Sequence, residues 1–200
     1  MQDKTRRSNT DRSQATRASL LNAGRELFVK MGYAETATPD IAAAAHVTRG
    51  ALYHHFSDKA SLFEAVIRRE ASAVAEAIAE ATRDIADPMI SLEEGADAYL
   101  DAMALFGRTR LLLIDGPAVL GRELMDRIDR ESPASTLVAG LAAATGRPVD
   151  ASLEALSSLL SAAFDRAALD IGAGAAPAPY RQLLKQLLVI IPSVLLPDGI

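Results

Sequence analysis

The chain has 200 residues, 50% of them hydrophobic and 24% charged, with no cysteine and a formal net charge of −5. This is the profile of an ordinary soluble globular chain of one or two domains, and it excludes disulfide bonds and thiolate chemistry. Residues 1–13 are polar without the apolar run of a secretion signal, and the longest apolar run, 187–196, is short for a membrane span and contains Pro192; a cytoplasmic setting with no membrane partner is expected.

In chain order, residues 1–13 read as a flexible polar tail, after which Leu20, Ala23, Leu27 and Met31 recur at helical steps up to a stop at Gly32. A short helix follows in "ETATPDIAAAAH", capped by Thr36 or Thr38, with Pro39 in its first turn. Thr48 is placed to cap a second short helix reaching Phe56, and Ser57 a long one over 57–84 with Asp58 in its first turn. "DIADP" (84–88) reads as a domain junction. Beyond it, helices are expected near 91–106 and 108–114, a Gly-Pro break at 116–117, then a helix over 121–144 kinked at Pro133. Helices over 149–170 and 180–196 follow, separated by a mobile loop, "GAGAAPAP". No segment alternates as a strand does, so the fold class is all-α.

Two short helices across a tight turn, framed by longer ones, form a helix-turn-helix pattern. In the second, Leu52 and Phe56 lie four apart and belong to the core, while Arg49 and Tyr53 share another face, as do Gly50 and His54. A guanidinium, a phenol and imidazoles on one outward face are all groups that donate to phosphates or base edges. Gly50 costs its helix about 1 kcal/mol relative to alanine, and close approach of another backbone is one reason to accept it. An amphipathic hairpin with no special task is the plain alternative. The charge distribution leans the same way as the helix face: residues 1–70 carry 11 Lys and Arg against 8 Asp and Glu, whereas the remaining 130 carry 10 against 18. A basic front on an acidic body suits contact with a polyanion.

A metal site is disfavoured by spacing. His54 and His55 are successive, about 100° apart on a helix, whereas paired ligands on one helix sit at i and i+4, and His46 lies on the turn. No hydrolase motif or Gly-rich phosphate loop is present, so neither catalytic residues nor a cofactor are expected.

"LFVKMGYAETATPDIAAAAHVTRGALYHHFSDKASLFEAVI" (27–67) resembles the DNA-binding domain of the TetR family of transcriptional regulators. The resemblance is carried by Phe28, the Gly32-Tyr33 pair, a threonine before the short helix, Ile41-Ala42, Val47-Thr48, Gly50-x-Leu52-Tyr53-x-His55-Phe56, and Lys59 before Leu62. It covers roughly residues 14–74 and implies that 75–200 form a helical effector-binding and dimerisation domain, where "LLLIDGPAVLG" (111–121) is similar to a segment of one branch of the family. By resemblance, Thr38 meets a phosphate, Thr48, Arg49 and Gly50 enter the major groove, Tyr53, His54 and His55 line the outer face, and Lys59 clamps a phosphate. His46 stands where glycine is common, so its turn must tolerate a side chain, and Pro39 replaces a residue type that is often polar or basic.

The implied function is a repressor that binds a palindromic double-stranded operator as a homodimer and is released by a small-molecule effector of unknown identity. An effector-independent regulator or an activator of the same fold is the alternative. Tyr99, Met103, Phe106, Met125 and Phe164 are candidate effector-lining residues, equally at home in plain core. Asp97, Asp101, Arg108 and Asp165 are either polar anchors or solvated. For the dimer interface the candidates are Leu153, Leu156, Leu160 and Phe164 on one helix and Leu184, Leu187, Leu188 and Ile191 on the last. Such stripes are also compatible with closing a monomer's own core.

Overall fold

In the computed structural model, the backbone of residues 3–131 and 133–195 and the side chains of 10–131 and 137–190 are described. Every regular element among them is helical: α1 (Asp3–Glu35), α2 (Thr38–Ala44), α3 (Arg49–His55), α4 (Lys59–Thr82), α5 (Pro88–Met103), α6 (Arg108–Arg110), α7 (Gly116–Leu120), α8 (Arg122–Arg130), α9 (Pro133–Thr145), α10 (Ala151–Gly172) and α11 (Pro177–Leu195). Helix α1 begins ten residues before the expected end of the polar tail. Its regular winding breaks at Gly32, whose φ is 81°.

The caps differ from expectation in small ways that have physical causes. Thr36 does not cap α2; it is buried, and its hydroxyl donates to the Gly32 carbonyl at 2.7 Å and the Leu27 carbonyl at 3.3 Å. Thr38 is the first residue of α2, after a capping residue, Ala37, that has no side-chain acceptor. The cap of α4 is Asp58 rather than Ser57: its carboxylate accepts from Ser61 N at 2.7 Å, and Ser61 Oγ accepts from Asp58 N at 3.2 Å. That reciprocal arrangement is a capping box. Thr48 caps α3 as expected, accepting from Ala51 N at 3.1 Å.

The expected break at Gly116-Pro117 is instead a widening of the helix. Pro117 has no N–H to offer the carbonyl four residues back. The ladder ahead of it opens into a π-turn over Leu111–Asp115, with Gly116 N donating to Leu111 O. The chain turns at Gly121, whose φ is 80°. Where a kink at Pro133 was expected, α8 ends at Arg130 and α9 starts anew at Pro133.

The front of the core forms around α1, which packs against α2, α3 and α4. Leu20, Phe28, Ile41, Leu52, Leu62 and Phe63 are fully buried there. The Phe28 and Phe63 rings meet edge to face at 4.9 Å, and Tyr33 packs on both. The second half of α4 packs against α5, α7, α8 and α9, so one helix serves both ends of the molecule. Asp97 and Asp101 on α5 bind Arg181 of α11, and Lys185 reaches Asp97 at 2.6 Å. These two aspartates therefore hold α11 on α5.

The inward stripes of α10 and α11 serve this chain's own core. Leu153, Leu160, Phe164, Leu184 and Leu188 are buried and Leu156 is half-buried. Of the residues proposed for a dimer interface, Leu187 faces out, and the Ile191 side chain lies outside the described residues. Periodicity identifies an apolar face and is silent about what covers it. The large apolar residues that face outward on these two helices are Leu159 at 71% exposure, Leu183 at 59%, Leu187 at 46%, Val189 at 55% and Ile190 at 52%.

Between the front core and the rest stands Glu70 of α4. It accepts from Arg25 Nε of α1 at 2.9 Å and from Arg108 Nε of α6 at 2.9 Å. Burial pushes the Glu70 carboxyl up, but the two guanidiniums outweigh it and hold it below the ordinary glutamate range. A carboxylate depressed in the fold contributes stability that is present above its unfolded pKa and lost as pH falls through the folded one. Glu70→Ala leaves two largely buried cations unpaired and is expected to cost about 3 kcal/mol, against about 0–1 kcal/mol for the exposed Arg68→Ala. Chemical denaturation of both variants at neutral pH checks this, and the gap between wild type and Glu70→Ala should shrink as pH drops below the ordinary glutamate range.

Candidate functional site

The turn between α2 and α3 sets the geometry of the front surface. Ala45 N donates to Ile41 O and Val47 N to Ala42 O, while His46 takes the left-handed conformation with φ 55°. A side chain is therefore tolerated at this turn, and it points to solvent. From there Thr48 starts α3 with Leu52 and Phe56 buried, so Arg49, Gly50, Tyr53 and His54 are left exposed on the outer face and His55 half-buried beside them.

These side chains are mutually ordered. The Arg49 guanidinium lies 5.5 Å from the Tyr53 ring centroid, and the Tyr53 hydroxyl pairs with Thr38 Oγ1 at 3.1 Å, tying the start of α2 to α3. Hydrogen bonds from Thr38 and then Arg49 draw the Tyr53 phenol below its ordinary range. His54 and His55 meet edge to face at 5.4 Å. Burial first, then the charges of His54 and Arg17, hold the His55 imidazole below its usual value, which favours the neutral ring. At Gly50 an added Cβ would find only Thr48 Oγ1, at 3.9 Å. Nothing inside the chain requires a glycine there.

Lys59 has a different place from the expected phosphate clamp. Its ammonium donates to the carbonyls of Tyr33 at 2.9 Å, Ala34 at 3.2 Å and Thr36 at 3.0 Å, and lies 4.3 Å from the Tyr33 ring centroid. These carbonyls belong to the unravelling end of α1, where acceptors lack helical partners and the helix dipole favours a cation. Arg17 of α1 was not anticipated. Its guanidinium sits 5.3 Å over the Phe56 ring, beside His55, and puts a positive charge next to the end of α3.

A second feature lies behind α4. A cavity of about 530 Å³ is walled by α4, α5, the π-turn, α8, α9 and α10. Tyr99, Met103, Met125 and Phe164 line it, and the Tyr99 and Phe164 rings are 5.6 Å apart, edge to face. Phe106 does not join them: it is 82% exposed on the loop after α5, where its carbonyl accepts from Arg25. Ile78, Leu92, Leu112 and Ile128 on the wall, together with Asp129, were not read as lining residues from sequence. Apolar residues on a helical stripe carry no mark that separates lining from core.

A family model described as "bacterial regulatory proteins, tetR family" matches residues 20–66, and another, "tetracyclin repressor-like, C-terminal domain", matches residues 89–191. The chain belongs to the TetR family. Among curated TetR-type relatives, the transcriptional repressor BepR of Brucella suis is 34% identical over 98 residues, 48% of this chain and 47% of that protein. The transcriptional regulator AcrR of Shigella flexneri is 34% identical over 108 residues, 54% and 50% of the two chains. Matches to these relatives thus span about half of their length. A solved TetR-family regulator from Pectobacterium atrosepticum superposes with a TM-score of 0.69 at 29% identity, over 95% of this chain and 98% of that one. As a TetR-family protein, this chain carries the family's helix-turn-helix domain, and the relatives it matches are transcriptional regulators.

The position of Lys59 in this TetR-type front gives a direct expectation. Lys59→Ala should lower the chain's stability by about 1.5–3 kcal/mol, the scale for hydrogen bonds to a charged group, whereas Arg49→Ala should leave the melting temperature near wild type. Thermal denaturation followed by circular dichroism distinguishes the two. Equal melting temperatures would show that the ammonium adds nothing to the end of α1.

Proposed function

We propose that the chain is a cytoplasmic repressor that binds a palindromic operator as a homodimer and is released when a small molecule enters the cavity behind α4. The observation that carries this reading is the outer face of α3, where Arg49, Tyr53 and His54 stand exposed around a glycine with free space above it. In the proposed complex Thr48, Arg49 and Gly50 enter the major groove, Gly50 allows close backbone approach, and Tyr53, His54 and His55 continue the contact. Thr38 and Arg17 flank this face as candidate phosphate contacts. Lys59 supports the surface from behind by holding the end of α1.

A palindrome needs two recognition helices about 34 Å apart on one side of the duplex, which one copy of this domain does not supply. The outer faces of α10 and α11 suit a second copy. Leu183, Leu187 and Ile190 project at helical spacing, and Leu159 stands on α10 among exposed Ala155, Ser158 and Ala162, small enough for close helix approach. For release, the effector must prefer a conformation in which the two recognition helices no longer match the grooves. A coupling of about 1–3 kcal/mol would change operator affinity roughly 5- to 150-fold. Helix α4 is the proposed lever, because it packs on α1, which carries α2 and α3, and its second half walls the cavity.

Two sets of variants test this. Arg49→Ala and Tyr53→Ala should each weaken operator binding by about 1–3 kcal/mol. Gly50→Ala should leave the fold intact, since the space is open, and still weaken binding. Fluorescence anisotropy with operator DNA reads all three, and wild-type affinity throughout would sink the recognition-helix assignment. For assembly, Leu187→Glu should give a folded monomer by light scattering, while Leu160→Glu should unfold the chain, because a charge buried without a partner is costly. A wild-type monomer would remove the proposed dimer.

A further inference from the structure

The wall of the cavity has an unusual charge balance. Asp126, Asp129 and Asp165 line it, and among the described residues no lysine, arginine or histidine does. Asp165 of α10 is held by one neutral partner, the Tyr99 hydroxyl, which donates to Oδ1 at 2.5 Å. The Asp129 carboxylate of α8 has no ion-pair or hydrogen-bond partner among the described residues, and Arg130, the next residue along, is exposed. The remainder of the wall is apolar, from Val74 and Ile78 of α4 through Leu92 and Met103 of α5 to Leu112, Met125 and Ile128. Elsewhere the chain pairs its partly buried carboxylates with cations, as at Glu70 and Asp97. The two at this cavity are left without one.

We propose that the cavity takes an organic cation, a quaternary ammonium, phosphonium or protonated amine on an apolar body, with Asp129 and Asp165 as its counter-charges. This rests on the reading of the cavity as the effector site. A volume of about 530 Å³ falls within the range of small-molecule sites. The Tyr99–Phe164 pair offers aromatic surface beside Asp165, which attracts a cation further through the ring quadrupoles. An anion would add a like charge to a wall that is already acidic, and a neutral molecule would leave the carboxylates uncompensated.

The protonation behaviour of the wall agrees. Burial first, then the charges of Asp165 and Asp126, push Asp129 up to about 6, with Arg130 opposing. Burial raises Asp165 too, against the hydrogen bond from Tyr99. The cavity surfaces of α4 and α9 carry no titratable group among the described residues, so these are the groups that face one another. A bound cation favours the ionised carboxylates and therefore expels the proton that Asp129 holds near pH 6. Cation affinity should rise with pH between about 5 and 7 on that account.

The test is isothermal titration calorimetry on the full chain without DNA, using tetraphenylphosphonium and tetraphenylborate, which share size and shape and differ in sign of charge. The phosphonium should bind at least tenfold more tightly than the borate, and in two buffers of different ionisation enthalpy at pH 6 it should show proton release. Asp129→Asn and Asp165→Asn should each weaken the phosphonium at least tenfold. Both should melt at or above wild type near neutral pH, because removing one carboxylate relieves repulsion. Absence of phosphonium binding, equal or tighter borate binding, or unchanged affinity in both variants would overturn the inference. Operator release is measured separately by anisotropy: a cation that binds with this selectivity and leaves DNA affinity unchanged would keep the ligand class and remove the effector role.

Discussion

One carboxylate organises the molecule. Glu70 lies near the middle of α4, and its two oxygens are divided between Arg25 of α1 and Arg108 of α6. The arginines extend the link, Arg25 to the Phe106 carbonyl and Arg108 to the Ala102 carbonyl at 2.7 Å. The loop after α5, the helix that carries the front core and the helix that spans both ends therefore meet at a single buried charge. Both arginines are largely buried where they meet Glu70, so separating the partners would leave charges unpaired away from water. The same network gives α4 a fixed fulcrum between the surface that presents α3 and the cavity behind it.

Much of the front was legible in the sequence because its chemistry is local. The cap at Thr48, the burial of Leu52 and Phe56 and the exposure of Arg49 and Tyr53 follow from spacing within a few residues. That the turn at His46 must tolerate a side chain came from the resemblance, which puts glycine there, and His46 takes φ 55°. What escaped was whatever depended on distant partners. Lys59 is a cation near the start of a helix, where an anion is the favoured companion, and its true companions are the carbonyls of another helix over twenty residues away. Arg108 looked like a solvated or ligand-facing charge and is instead 8% exposed against Glu70. The stripe of α10 through Leu153 and Phe164 has the same origin: its apolar face is there, and the chain supplies its own cover for it.

The cavity and the front surface divide the charge of the chain between them. Positive and neutral donors gather on α3 and the nearby turns of α1, while the charged side chains on the wall behind α4 are all carboxylates among the described residues. An acidic overall composition thus coexists with a front suited to a polyanion, because the negative charge sits on the other side of α4. Sequence pattern hinted at this split through the contrast between residues 1–70 and the remainder. It could not show that part of the acidic excess faces inward.

Gly107 has a further significance. It adopts φ 81°, and a Cβ there would fall inside van der Waals contact of both methyls of Val29 on α1. The loop after α5 is pressed onto α1 by fit as well as by the Glu70 bridge. The front three helices are consequently not a detachable cassette. A chimera that joined another regulator's reading head to this body would bring a foreign residue to position 29 under a loop shaped for valine, and an unmatched one to position 25 opposite Glu70. Exchange between relatives has to move residues 25, 29, 70, 107 and 108 as a set, so the seam for recombining heads and bodies runs through side chains on both sides of the α4 boundary.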